Sequence, residues 1–293
     1  MLFFDAKIVI MAGEKEEQIF RPINLREVVA GKNKKLARQL PKFIYKWLES
    51  VVHLKEVNDF LKHSGHLQGL DFANKIIEHL NIQYSIKGLE NIPKSGRYIF
   101  VSNHPLGGLD GVLLLKQITE NFGYTRSLTN DFLMAVTPFK DWFVPINKVG
   151  GQGREALQAI DELYTSDDQI LIFPAGLCSR KINGEIVDLE WQKHFIQKAV
   201  QYKIDVVPIY FEGRNSNKFY NLAKFRKLFR IKFNIEMMYL VDELFKHKDK
   251  TFSIHFGKPL SYESFNSSKK PIDWAQKVKS DVYSLKENLD TLL

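Results

Sequence analysis

Arg97-Tyr98-Ile99-Phe100-Val101-Ser102-Asn103-His104-Pro105-Leu106-Gly107-Gly108-Leu109-Asp110 is the stretch from which the fold is read. Residues 98–102 form a short apolar run of the kind found in a strand buried on both faces. The run passes directly into a polar, glycine-containing loop, and Val112-Leu113-Leu114-Leu115 then opens an apolar helix. A strand, a loop and a helix in that order make half of a parallel βαβ unit, and such sheets place their sites at the C-terminal ends of the strands.

The same texture continues outward. Short β-rich runs at 98–102, 170–173, 206–211 and 235–239 alternate with helical segments at 113–121, 154–163 and 191–202. This alternation predicts an α/β domain with a largely parallel sheet flanked by helices, spanning 83–293 and closed by a helix from about 271. Residues 1–82 read as an N-terminal arm followed by an amphipathic helical region. There, Leu36, Leu40, Phe43, Ile44, Trp47, Leu48 and Val51 recur at steps of three and four. A further helix is expected over 70–80, and Pro41 should stand at a helix start or kink.

Composition bounds the possibilities. The 293 residues suffice for one large domain, or for a main domain with a smaller helical one. A hydrophobic fraction of 44% and a charged fraction of 26% exclude a disordered or low-complexity chain. The excess of 42 basic over 34 acidic residues suits an anionic partner. Cys178 is the single cysteine, which rules out an intrachain disulfide and points to a reducing compartment. No basic-then-apolar leader opens the sequence, and no apolar run reaches the roughly 18–20 residues of a spanning helix.

Four blocks carry chemistry. In the first, two glycines let the loop fold back so that Asp110 reaches Nδ1 of His104. That contact would fix the tautomer and leave Nε2 as a base; a surface histidine beside a helix-capping aspartate is the plain alternative. In the second, the strand Ile170-Leu171-Ile172 ends at Phe173-Pro174-Ala175-Gly176 and delivers Ser179, Arg180 and Lys181 to the same kind of strand end. Arginine and lysine there can receive an anion, or simply form a solvated basic loop. In the third, Phe143-Val144-Pro145-Ile146-Asn147-Lys148 leads to Gly150-Gly151-Gln152-Gly153 before a helix, a backbone anion site without a P-loop ending. The fourth is Val206-Val207-Pro208 running on to Glu212-Gly213-Arg214-Asn215-Ser216.

Together the four blocks resemble the glycerolipid (PlsC-like) acyltransferase family and its H-x-x-x-x-D signature, over roughly residues 84–215. Residues 103–111, 173–180 and 213–217, with the basic-aromatic segment 36–53, look like its bacterial hemolysin-related or lyso-ornithine-lipid O-acyltransferase branch. The resemblance implies acyl transfer, without a cofactor, from acyl carrier protein or coenzyme A to the hydroxyl of a lysolipid, lysophosphatidate or a lyso-amino-acid lipid. It makes His104 and Asp110 catalytic. It assigns substrate contacts to Asn103, Gly107, Gly108, Asn147, Lys148, Phe173, Pro174, Gly176, Ser179, Arg180 and Lys181. Two departures stand out: five residues separate His104 from Asp110 where the family has four, and Ala175 replaces the glutamate of F-P-E-G. The resemblance ties that glutamate to orienting glycerol phosphate, so its loss favours another head group. Cys178 reads as a packing residue.

A lysolipid sits in a bilayer, and Lys34, Lys35, Arg38, Lys42, Phe43, Lys46 and Trp47 form an amphipathic surface suited to an anionic membrane, or to packing on the α/β domain. The run 224–232, with three further aromatic or leucine positions among lysines and arginines, is a competing contact for membrane or for acidic acyl carrier protein. The expected location is therefore cytoplasmic, peripheral on the inner face of the cell membrane. A lipid esterase or thioesterase would need a G-x-S-x-G elbow, which the chain lacks. His53, His63, His66 and His79 match no metal-ligand spacing, so no metal is expected. No nucleic-acid motif accompanies the basic charge, leaving a non-catalytic basic lipid- or nucleic-acid-binding protein as the remaining alternative.

Overall fold

The structure is a computed structural model, describing residues 22–32, 34–130, 136–146, 154–230 and 235–287. Five helices lead: α1 (Leu25–Lys32), α2 (Lys34–Gln39), α3 (Lys42–Val51), α4 (Leu54–Ser64) and α5 (Gly69–His79). Then come β1 (Gln83–Lys87), β2 (Tyr98–Ser102), α6 (Leu109–Phe122), β3 (Thr125–Asn130), β4 (Phe143–Ile146), α7 (Arg154–Thr165) and β5 (Gln169–Ile172). A hairpin of β6 (Arg180–Ile182) and β7 (Glu185–Val187) precedes α8 (His194–Tyr202), β8 (Asp205–Glu212) and α9 (Asn217–Leu228). The chain finishes with α10 (Leu240–Lys246), β9 (Thr251–Phe256) and α11 (Pro271–Glu287).

Among the described residues, seven strands form one sheet in the order β1-β9-β8-β2-β5-β3-β4. Every neighbouring pair is parallel except β8 with β9. The fold is thus the α/β class expected from the alternation. Both faces are covered, and the strands show it. Phe100 of β2 points into a cluster with Phe72, Leu113, Leu114 and Ile118 from α5 and α6. Its neighbours Ile99 and Val101 point the other way, among Leu163, Phe195, Ala275 and Val278 from α7, α8 and α11. Alternate side chains of a strand face opposite sides, so a run apolar at every position is the signature of a doubly covered central strand.

Helices α4 and α5 belong to the same packing. Phe60, Leu61, Leu70, Phe72 and Ala73 all sit in or against the cluster on one face of the sheet. The amphipathic segment 34–52 is divided at Leu40-Pro41, with Pro41 as N-cap of α3, the helix start expected of that proline. Proline has no N–H to give an α-helical turn, and its ring bars continuation. Residues 235–239 correct an expectation. They form a 3-10 helix rather than a strand, because Glu236 must turn inward to meet two arginines.

Candidate active site

Strands β2, β5 and β8 lie side by side and parallel, so the loops that follow them leave from one edge of the sheet. Asn103, directly after β2, donates from Nδ2 to the Phe211 carbonyl at 2.9 Å and accepts the Phe211 N–H at 2.7 Å. This side chain copies a strand's pair of hydrogen bonds and ties the start of the loop to β8. Asn103 is buried and bound to the backbone.

His104 follows. Its Nδ1 lies 2.9 Å from Oδ2 of Asp110, in the first turn of α6. Asp110 is fully buried, yet its carboxylate accepts four backbone N–H groups, from Leu106 (2.9 Å), Gly107 (3.3 Å), Gly108 (3.0 Å) and Gly111 (2.9 Å). Burial alone would raise the Asp110 carboxyl. The neighbouring His104 and the N–H groups of Leu106 and Gly111 outweigh it and hold Asp110 below its ordinary value. An ionised Asp110 is an acceptor only, so Nδ1 carries the hydrogen and Nε2 keeps its lone pair. The loop with one extra residue therefore closes on the carboxylate without breaking the pair. Gly107 makes this possible with φ of +78°; a Cβ there would meet Leu240 Cδ2 at 2.9 Å and the Cys178 Cβ at 3.1 Å.

The loop after β5 fixes His104 from behind. Phe173 stacks on the imidazole with ring centroids 3.9 Å apart and planes inclined by 26°. The Ser179 N–H donates to the His104 carbonyl at 2.7 Å, and the His104 N–H donates to Asp188 Oδ1 at 3.2 Å. Asp188 also accepts the Ser179 hydroxyl at 2.6 Å and the Trp191 indole N–H at 2.8 Å, while its own N–H donates to the Tyr283 hydroxyl oxygen. Burial pushes the Asp188 carboxyl up, against the pull of Ser179, Trp191 and the His104 N–H. Asp188 and Trp191 are positioning residues that the sequence did not single out; Asp188 holds the main chain of His104 across 84 residues, and Trp191 acts through Asp188.

Arg180 behaves differently from the anion contact expected of it. Its guanidinium donates to Glu236 Oε1 at 3.0 Å and to the Cys178 carbonyl, and Glu236 is paired again by Arg226 at 2.9 Å. Glu236 is completely buried. The positive charge of Arg180 is met inside the protein. Cys178 is buried beneath the same loop, and burial pushes its thiol up to about 11, so it stays protonated at neutral pH.

A cavity of about 2410 Å³ opens over this edge. Its wall takes in His104, Gly107, Gly108, Phe173, Pro174 and Gly176, and leaves out Asn103, Ser179, Arg180 and Lys181. Asn147 and Lys148 lie outside the described residues. Phe60, Phe72, Ile76, Leu115, Phe139 and Leu244 make much of the lining apolar, and Lys62, Arg154 and Lys198 are the lysine and arginine side chains on it among the described residues. Asn215, after β8, donates to the Leu106 carbonyl at 3.2 Å and accepts from His247 Nε2 at 3.1 Å. Burial, with Lys250 nearby, lowers the His247 imidazole to about 4 and keeps it neutral. All three strand-end loops thus meet on the turn that carries His104.

Among the expected surface residues, Phe43 and Trp47 point outward, 70% and 44% exposed. Lys34, Lys35, Arg38, Lys42 and Lys46 are exposed as well. The buried side of α3 carries Tyr45 and Val51 instead.

The chain resembles known proteins over nearly its whole length. A family model described as acyltransferase matches residues 27–292. A lyso-glycine lipid O-acyltransferase of Bacteroides thetaiotaomicron is 47% identical over 264 residues, covering 90% of this chain and 97% of that protein. A protein of the same description from Phocaeicola vulgatus is 45% identical over 264 residues, 90% of this chain and 95% of its own. The crystal structure of a 1-acyl-sn-glycerophosphate acyltransferase from Thermotoga maritima matches at 18% identity with a TM-score of 0.48, covering 89% of this chain and 96% of that one.

Proposed function

The chain belongs to the acyltransferase family, acts as an O-acyltransferase on lysolipids, and we propose that its acceptor is a lyso-glycine lipid, acylated with His104 as general base. The observation that carries the mechanism is the 2.9 Å contact between Nδ1 of His104 and a buried, ionised Asp110 in the wall of an apolar cavity. Nε2 takes the proton from the acceptor hydroxyl as its oxygen attacks the thioester carbonyl carbon. The tetrahedral intermediate then collapses, the C–S bond breaks, and the imidazolium returns the proton to the departing thiolate. The products are an ester and a free thiol, with no acyl-enzyme and no cofactor. Asp110 stabilises the imidazolium while that charge lasts.

The head group follows from the relatives and from the site. Both curated relatives act on lyso-glycine lipid. Ala175 stands where glycerol-phosphate enzymes carry glutamate, and Arg180 is already paired with Glu236. The cations on the cavity wall, Lys62, Arg154 and Lys198, can receive the single carboxylate of such a head group. The acyl donor is a thioester of acyl carrier protein or coenzyme A, and the protein works peripherally on the anionic inner face of the cell membrane. Among the described residues, no helix is long and apolar enough to cross a membrane.

The test is turnover of lyso-glycine lipid, lyso-ornithine lipid and lysophosphatidate with each donor. The glycine lipid should give the highest kcat/KM, and His104→Ala should lower kcat by roughly 10²–10⁴ with the fold intact by circular dichroism. Undiminished activity in His104→Ala sinks the mechanism. Release of fatty acid at the same rate with acceptor withheld identifies a hydrolase instead.

A further inference from the structure

Helix α9 buries one side and leaves the other bare. Phe219, Tyr220 and Ala223 face the protein. At 3.6 residues per turn, Lys218, Asn221, Phe225, Leu228 and Phe229 fall together on the opposite side. Phe225, Leu228 and Phe229 are 50%, 77% and 60% exposed, and the Phe225 and Phe229 rings pack on each other at 4.4 Å. Arg214, Lys218, Lys224, Arg226, Lys227 and Arg230 give this segment six cations, with no acidic residue from 214 to 230. Arg226 turns inward to Glu236; Lys218, Lys224, Lys227 and Arg230 are exposed.

This face is continuous with the outward side of α3. Tyr239 joins them, with the Trp47 ring edge-on at 6.4 Å and the Lys218 ammonium over its face at 4.6 Å. Phe43 lies one turn before Trp47 on the same side of α3. Around Tyr239, Met237, Met238 and Leu240 line the cavity above His104. One exposed strip of aromatic and cationic side chains therefore runs from Phe43 through Tyr239 to Phe229 and borders the cavity.

We propose that this strip, α9 together with α3, is the surface on which the enzyme sits on an anionic bilayer, and that lysolipid enters the cavity along its Tyr239 edge. The proposal rests on the acceptor being a membrane lysolipid. Aromatic and leucine side chains among lysines and arginines, without acidic residues, are complementary to the boundary between anionic head groups and acyl chains. A docking site for acidic carrier protein needs the cations but gains little from Leu228 and Phe229 standing bare in water.

The test uses the full chain with vesicles of phosphatidylcholine, with and without phosphatidylglycerol. The variant Phe225→Ser/Leu228→Ser/Phe229→Ser alters exposed side chains, so its fold and melting temperature should match the wild type. Its vesicle affinity should fall at least about tenfold, and Lys224→Glu/Lys227→Glu/Arg230→Glu should abolish the preference for phosphatidylglycerol. Both should lose about tenfold in kcat/KM on vesicle-embedded lysolipid, while turnover of a short-chain, water-soluble lysolipid stays within about twofold. Unchanged vesicle binding by both variants overturns the proposal. Equal losses on the soluble acceptor overturn it too, by making the face structural. A loss confined to carrier-protein donor and absent with coenzyme A donor assigns the strip to carrier protein and again overturns it. A wild type that acylates neither acceptor defeats the functional reading itself, which distinguishes that failure from failure of the docking surface.

Discussion

Asp110 and Asp188 bracket one histidine and are driven in opposite directions. Both are buried, at 0% and 1% exposure, and burial opposes ionisation of each. Asp110 receives the imidazole and four backbone N–H groups. Asp188 receives a serine hydroxyl, an indole and one backbone N–H. The first set wins against desolvation and the second does not. What separates them is first the imidazole, whose charge and Nδ1 hydrogen bond fall on Asp110, and then the main chain, a loop wound around its own carboxylate that supplies donors already fixed in place. The glycines between His104 and Asp110 thus serve as the means by which a negative charge is kept under an imidazole in apolar surroundings.

Breaking the Asp110 side of this comparison should have the largest effect. Asp110→Asn keeps the shape but removes the charge and leaves five donors crowding a neutral amide; kcat should fall by roughly 10²–10⁴, measured with saturating lysolipid. Asp188→Asn should cost less, about 10–100-fold in kcat with little change in KM, because it loosens the main chain of His104 without touching the ring.

The pH dependence of stability sharpens the contrast. Asp110 has a folded-state pKa below its unfolded value of about 3.9, so its contribution is present above that value and lost as pH falls through the folded pKa. Asp188 is raised, so its contribution is present below about 3.9 and lost as pH rises through its folded pKa. Melting temperatures followed from acid to neutral pH should show the cost of Asp110→Asn growing with pH and the cost of Asp188→Asn shrinking. Slopes of the same sign would defeat this account. The smallest effect on catalysis should come from a further buried carboxylate, Glu236, whose partners are Arg180 and Arg226 and not His104. Arg180→Ala removes one of its two partners and should lower stability by about 3 kcal/mol in denaturant titration, with kcat within about threefold.

What the sequence made legible was local. His104 and Asp110 are six residues apart, so their pairing needed only a turn, and β2, β5 and β8 announced themselves as uninterrupted apolar runs. Edge strands were harder to read. β1 buries side chains only at alternate, partly covered positions, with Gln83, Ser85 and Lys87 between them, and the inner strand β3 is as hard to read, with Thr125, Arg126, Ser127, Thr129 and Asn130 around a single leucine. Residues 235–239 look apolar enough for a strand, and the pairing of Glu236 with Arg180 lies 56 residues away. The same holds for Asp188, whose contact with His104 spans 84 residues. Arg180 was recognised as a cation, but a sequence does not state which carboxylate a cation will meet. Residue type was readable; partnership across the fold was not.

The outermost strand carries a consequence for how the molecule is made. Among the described residues β1 pairs with β9 alone, residue 83 beside 251 and Ser85 beside Ser253, a separation of 168 residues. At a synthesis rate of about 5–20 residues per second, β1 waits roughly 10–30 seconds on the ribosome for that neighbour. The apolar sides of α4 and α5 emerge still earlier, before any strand of the sheet they cover. Each nascent chain therefore passes through an interval in which these two amphipathic helices are out and their cover is not yet translated.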